Sequence, residues 1–139
     1  MPTLCAPHKM IKHGKETIPP EDFKKAKEVL DNAYNNAGKA IQAGVKLALG
    51  TDASTWYNPI EDTAKEFGKL VKAGATNFQS LRAGGLGSAE LLKIDHDYGS
   101  IEVGKFADFL VIDENPLEDV TAVLQRDKQV FQQGIRKKW

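Results

Sequence analysis

The sequence has 139 residues, enough for one domain with a core of its own. Apolar residues make up 41% and charged ones 27%, and 19 Lys and Arg balance 19 Asp and Glu. The zero net charge gives no electrostatic footing for nucleic acid or an anionic membrane surface. No apolar run nears the roughly 20 residues of a membrane span. The first ten residues lack the basic-then-apolar pattern of a secretory leader and Cys5 is the single cysteine, so a reducing cytoplasm is the expected compartment.

Residues 2–8 read as a short strand and turn, and residues 9–18 as loop. Pro19-Pro20-Glu21-Asp22 then announces a helix, because Pro is tolerated in a first turn and acids there complement the helix dipole. Phe23, Ala26, Leu30, Ala33, Tyr34, Ala37 and Ile41 follow at helical spacing, and Gly44 is placed to close the helix as a left-handed cap. Val45 to Leu49, charged only at Lys46, suits a fully buried parallel strand. After a loop over 50–57, Asn58-Pro59 reads as an N-cap followed by Pro at the first helical position. Ile60, Ala64, Phe67, Leu70 and Val71 form the inner face of that helix, and Gly74 ends it.

Thr76 is placed to cap a short helix through Arg82, and Ser88 another through Leu92. The intervening Gly84-Gly85-Leu86-Gly87 follows no strand and precedes no Gly-Lys-Ser/Thr, so it reads as helix packing or a break and not as a phosphate loop. The pattern changes near residue 95. Phe106 to Asp113 reads as a strand broken by Asn115-Pro116, Val120 to Leu124 as a short helix or turn, and Gln129 to Lys137 as a strand pair about Gln133-Gly134. Two strand–helix units followed by a β tail indicate an α/β chain. Two parallel strands alone cannot bury both faces, so the first part reads as a piece of a larger sheet or barrel.

Three blocks make the pattern specific. They are Ala43 to Asp52, ending Leu49-Gly50-Thr51-Asp52; Leu81-Arg82-Ala83 with Ala89-Glu90-Leu91-Leu92; and Gly99 to Asp113 with Asn115-Pro116-Leu117. In this order the chain resembles the C-terminal third of the amidohydrolase superfamily, in particular its prolidase-like and imidazolonepropionase-like metal-dependent hydrolases. The resemblance implies the last two βα units of a TIM-type barrel over residues 1–95. Pro2-Thr3-Leu4 would fall on the seventh strand, and Val45 to Leu49 on the eighth. A β-rich tail over 96–139 would complete a small composite β-sandwich. The family's His-x-His pair, its bridging Lys or Glu and two further His ligands belong to earlier strands and have no counterpart here. The sequence also departs from the family at Gly84 to Gly87, and at Asn58-Pro59-Ile60-Glu61, where a loop His often stands.

The resemblance implies that Asp52 is the catalytic general base and a metal neighbour or ligand. It would take a proton from a metal-bound water that attacks a carbonyl. The bland alternative for Asp52 is a turn or capping residue. The implied cofactor is a divalent metal, zinc foremost, held mostly by residues outside this chain. The implied substrate is a small amide, dipeptide-like or cyclic. His8 would stand near the catalytic end of the seventh strand, where it is either a substrate contact or a solvated loop His. Trp56 either lines the substrate pocket or covers the barrel rim. Cys5 has no partner that would make it a nucleophile and reads as a buried strand residue. Asp95-His96-Asp97 reads as a polar turn. Without the His ligands, the chain alone is expected to be inactive. Its partner would be the N-terminal barrel portion or, through exposed strand edges, a second copy of itself; the rival reading is a non-catalytic interaction or assembly module.

Overall fold

The computed structural model describes residues 1–55 and 57–138. Five α-helices precede a three-stranded sheet: α1 Cys5–His13, α2 Pro20–Gln42, α3 Lys65–Lys72, α4 Asn77–Gly84, α5 Leu86–Leu92, β1 Phe109–Val111, β2 Gln129–Gln132 and β3 Ile135–Lys137. Short 3-10 turns at Ile60–Asp62 and Val120–Leu124 join them. The chain thus combines α and β elements, as its sequence predicts.

The long α2 starts at the expected prolines, carries Glu21 and Asp22 in its first turn and buries Ala26, Ala37 and Ile41. Gly44 follows it at φ 70°. Thr76 forms a full capping box with Gln79: the Thr76 hydroxyl accepts from the Gln79 N–H at 3.1 Å, and the Gln79 side chain accepts from the Thr76 N–H at 2.9 Å. Ile41, Leu70, Ala75 and Ala83 form the core, and Leu47, Leu49 and Ala73 pack against it.

The N-terminal expectation is corrected. Residues 2–8 do not form a strand; α1 begins at Cys5 and runs through what reads as loop, to His13. No neighbouring side chain caps α1. Glu66 on α3 does so from a distance: its Oε1 accepts from the Leu4 N–H at 2.7 Å and its Oε2 from the Cys5 N–H at 2.8 Å. A short-range reading of residues 2–8 contains no trace of that carboxylate.

Val45 to Leu49 is extended but joins no ladder among the described residues. Its Leu49 N–H donates instead to Ala83 O at 3.0 Å and to Ser88 Oγ at 3.2 Å. Ser88 therefore does not cap α5, which starts two residues earlier, at Leu86. Asn58 does not cap the segment after it either, because its side chain turns back to the loop before it. The expected strand over Phe106 to Asp113 narrows to β1, since only Phe109 to Val111 pair with β2. The sheet is antiparallel in the order β1-β2-β3, with Phe109 opposite Phe131 and Phe131 opposite Arg136. Gln133 and Gly134 turn the final hairpin, at φ 52° and 75°; both central residues are left-handed, as a two-residue hairpin turn of matching twist requires.

The glycine-rich stretch is both break and packing surface. Gly85 separates α4 from α5 at φ −100° and ψ −103°. A Cβ on the buried Gly87 would overlap the Leu47 carbonyl oxygen, and one on Gly84 would overlap the Phe67 ring. Gly87 lets α5 lie directly on the 45–49 run, and backbone cannot step aside as a flexible side chain can. Gly87→Ala should therefore lower stability by about 3 kcal/mol, the upper part of the usual overpacking cost. Gly84→Ala, which meets only a ring, should cost less. Urea melts of the two variants check the order; a Gly87→Ala midpoint equal to the parent's would refute this packing.

Candidate functional site

Asp52 follows the extended run at the mouth of a cleft of about 390 Å³ between α1, α2 and the 52–58 loop. Thr3 with Ala6, Pro7 and Met10 of α1, Ala26, Val29 and Ala33 of α2, and Asp52 and Thr55 of the loop line it. Asp22 and Lys25 are the remaining charged residues of the lining. The cleft is mostly apolar with a few charged groups, the usual make-up of a small-molecule site.

The loop that presents Asp52 is strained. Asp52, Ser54 and Tyr57 adopt φ of 52°, 69° and 58°, the left-handed region that non-glycine residues rarely enter. Asn58 holds it there. Its Nδ2 donates to the carbonyls of Thr51 at 2.6 Å and Asp52 at 3.1 Å, while the Ser54 N–H donates to Asn58 O at 2.8 Å. The Thr55 hydroxyl closes the turn on Asp52 O at 2.8 Å. Asn58 is 1% exposed, and its Oδ1 has no hydrogen-bond partner among the described residues. The Tyr57 hydroxyl bonds the Thr17 hydroxyl, and its ring packs near His13, tying the loop to the end of α1.

At the start of α1 lies a buried polar cluster. Glu66 is 0% exposed, with Leu4 and Cys5 bonded to its carboxylate. Burial raises the Glu66 pKa despite the two backbone N–H groups and the Cys5 thiol that favour its charged form. Burial first, then the hydrogen bond and charge of Glu66, pushes the Cys5 thiol up to about 12. Burial and the Glu66 charge push the Tyr34 hydroxyl to about 12 as well, and that hydroxyl is buried without a partner. Lys69, on the same helix as Glu66, is lowered chiefly by burial. Asp62 pairs with Lys9 of α1 and with Lys65, the latter at 2.5 Å.

His8 is half-buried on α1 and does not line the cleft that Asp52 lines. Burial lowers its pKa, followed by the charges of Lys69, Lys72, Lys12 and Lys9. Trp56 lies outside the described residues. Asp95-His96-Asp97 forms an exposed turn in which His96 Nε2 meets Asp97 Oδ2 at 3.0 Å. Asn58 and Glu66, which build the site, were not among the sequence candidates. Glu66 stands four residues before the buried Leu70, so it shares the inner face of α3, where an acid is out of place.

A sequence profile described as the amidohydrolase family matches residues 4–134. The chain belongs to that family. An imidazolonepropionase from Thermoanaerobacter pseudethanolicus is 35% identical over 92 residues, 66% of this chain and 22% of the relative. Among solved structures, one assigned as a prolidase from Bifidobacterium longum is 32% identical with a TM-score of 0.89, over 98% of this chain and 34% of that one. A Xaa-Pro dipeptidase with methionine bound in its active site is 30% identical with a TM-score of 0.88, over 100% of this chain and 34% of that one. The chain therefore spans about a fifth of the curated relative and about a third of the solved structures. Members of the family generally use divalent metals and act on small substrates.

The buried thiol generates a prediction with a definite sign. The folded chain keeps the Cys5 proton up to about pH 12, whereas an ordinary thiol loses it near 9.0. Stability is thus fully present below pH 9 and falls as pH rises from 9 toward 12, by about 1.4 kcal/mol per pH unit for this one proton. Cys5→Ala should flatten that alkaline decline, read from urea melts between pH 8 and 11; an unchanged decline would count against the shifted thiol. At neutral pH, Tyr34→Phe should be neutral or slightly stabilising, because the hydroxyl it removes has no partner.

Proposed function

We propose that this chain supplies the general base and part of the substrate cleft of an amidohydrolase that cleaves C–N bonds of small amides, dipeptide-like or cyclic. Asp52 at the mouth of an apolar cleft, on a loop held in left-handed geometry, is the observation that carries this reading. A carboxylate so placed takes the proton of a water that attacks a carbonyl carbon. The C–N bond then breaks, and the amine leaves with a proton. His8 and Trp56 remain candidates for outer contacts with the substrate.

Among the described residues, no group of three His, Cys, Asp or Glu could hold a metal ion. Asp52 alone does not make a divalent-metal site, since such sites take three or four protein donors. A family metal, zinc foremost, would need its other ligands outside this chain, with Asp52 as a neighbour or single ligand. Residues 1–95 would then be the last two βα units of a TIM-type barrel, with 96–139 completing a small β-sandwich. Large apolar side chains left open, among them Val45 at 56% exposure and Ile135 at 63%, favour a covering partner. The N-terminal barrel portion or a second copy would serve. No helix is long and apolar enough to cross a membrane among the described residues, and the lone Cys5 suits the cytoplasm.

The chain alone should leave Xaa-Pro dipeptides intact, and addition of a complementary N-terminal barrel portion should restore hydrolysis. In the restored enzyme Asp52→Asn should lower kcat by about 10²–10⁴-fold with little change in melting temperature. Steady-state kinetics of the two proteins decide the matter; equal kcat values would remove Asp52 as the base.

A further inference from the structure

The short connector 58–66 carries two fully buried polar side chains, and both grip backbone outside it. Asn58 donates to the carbonyls of Thr51 and Asp52. Glu66 accepts the N–H groups of Leu4 and Cys5. These two backbone pairs belong to two separate stretches of the cleft lining: Asp52 and Thr55 in the loop, Thr3 and Ala6 at the N-terminal end. Neither grip serves the connector itself, since its 3-10 turn and α3 form without a side-chain cap. Asp62 anchors the middle of the connector through Lys9 and Lys65. The other Asn58 oxygen has no hydrogen-bond partner among the described residues, and the two donor contacts orient the amide. The loop they hold has three non-glycine residues at positive φ, a geometry that persists only where surroundings enforce it.

We infer that Asn58 and Glu66 are paired positioning residues that set the separation of the two cleft walls, so that an amide lying against Thr3 and Ala6 meets the Asp52 carboxylate, a role that builds on the hydrolase reading above. Asn58 fixes the Asp52 wall from one end of the connector. Glu66 fixes the α1 wall from the other. The carboxylate of Glu66 faces the Cys5 thiol on α1, the Tyr34 ring on α2 and Lys69 on its own helix. A change in either clamp is therefore transmitted to one wall before it reaches the core.

The test is NMR of the ¹⁵N-labelled 139-residue chain, titrated with the dipeptide leucyl-proline. In Asn58→Ala the amide resonances of Thr51 to Thr55 should move while those of Leu4 and Cys5 stay. In Glu66→Gln the reverse should hold, and the pH titration of the Leu4 and Cys5 amides seen in the parent should vanish. In both variants the dipeptide affinity, read from shifts at Thr3, Ala6 and Thr55, should fall by about tenfold. Shifted walls with undiminished affinity would overturn the positioning role, and unmoved walls would overturn the clamps. A parent chain that shows no saturable shift overturns the cleft as a substrate site and the positioning role with it, whatever the walls do. If Glu66→Gln does not fold, Asn58→Ala and the parent titrated through protonation of Glu66 make the same comparison.

Discussion

The carboxylate of Glu66 holds the helical region together from inside. A buried charge is costly unless its hydrogen bonds are replaced, and here backbone N–H groups replace them in place of a cation. The donors are 61 and 62 positions away in sequence, so the bond is also a tertiary restraint. It supplies the first turn of α1 with the anion that its exposed N–H groups favour. If α1 moves off α3, both the carboxylate and the helix end are left unpaired at once. Further along, α1 packs on α2 and pairs Lys9 with Asp62, and beyond its end Thr17 bonds Tyr57. Burial, and after it the Glu66 anchor, keeps Cys5 protonated, although a helix N-terminus by itself would favour the thiolate.

The loop after Leu49 poses the opposite problem. Its residues occupy backbone conformations that cost about 1 kcal/mol or more each. Asn58 compensates with two hydrogen bonds to consecutive carbonyls and a third received on its own carbonyl. These bonds fix the backbone on which Asp52 stands. Buried polar side chains thus hold the backbone at two stretches of the cleft lining, and α2 adds apolar residues to it.

What the sequence reveals follows from the range of each interaction. The helix from Pro20, the Thr76 capping box and the Gln133-Gly134 turn rest on contacts within four residues, and each is readable locally. Asp52 is readable because a short apolar run ends beside it. The start of α1 is not, because its cap stands on α3. Asn58 is read as a helix cap because Asn before Pro is the ordinary signature of one; the competing backward bonds to Thr51 and Asp52 depend on a loop conformation that no periodicity encodes. Ser88 fails for the same reason, its hydroxyl being committed to Ala83 O at 2.7 Å and to the Leu49 N–H.

The β expectations hold for the final hairpin and in part for the 106–113 strand, but not for the 2–8 segment or the 45–49 run. Val45 to Leu49 and Phe106 to Ile112 have the composition of strands buried on two sides. In the sheet, Phe109 stacks on Phe131 at 4.6 Å on one face while their neighbours Leu110 and Val130 occupy the other, so both faces are apolar. Ile101, before the sheet, is 87% exposed. The 45–49 run nevertheless keeps its extended path with no ladder to hold it, and the chain superposes on solved amidohydrolases roughly three times its length with TM-scores near 0.9. Its path must therefore be set from the helical side: by the core of Ile41, Leu70, Ala75 and Ala83, by the contact of Gly87 with Leu47, and by the bonds from Leu49 to Ala83 and Ser88. In this chain the helical core, the Gly87 contact and the two bonds of the Leu49 N–H together fix where the 45–49 run lies.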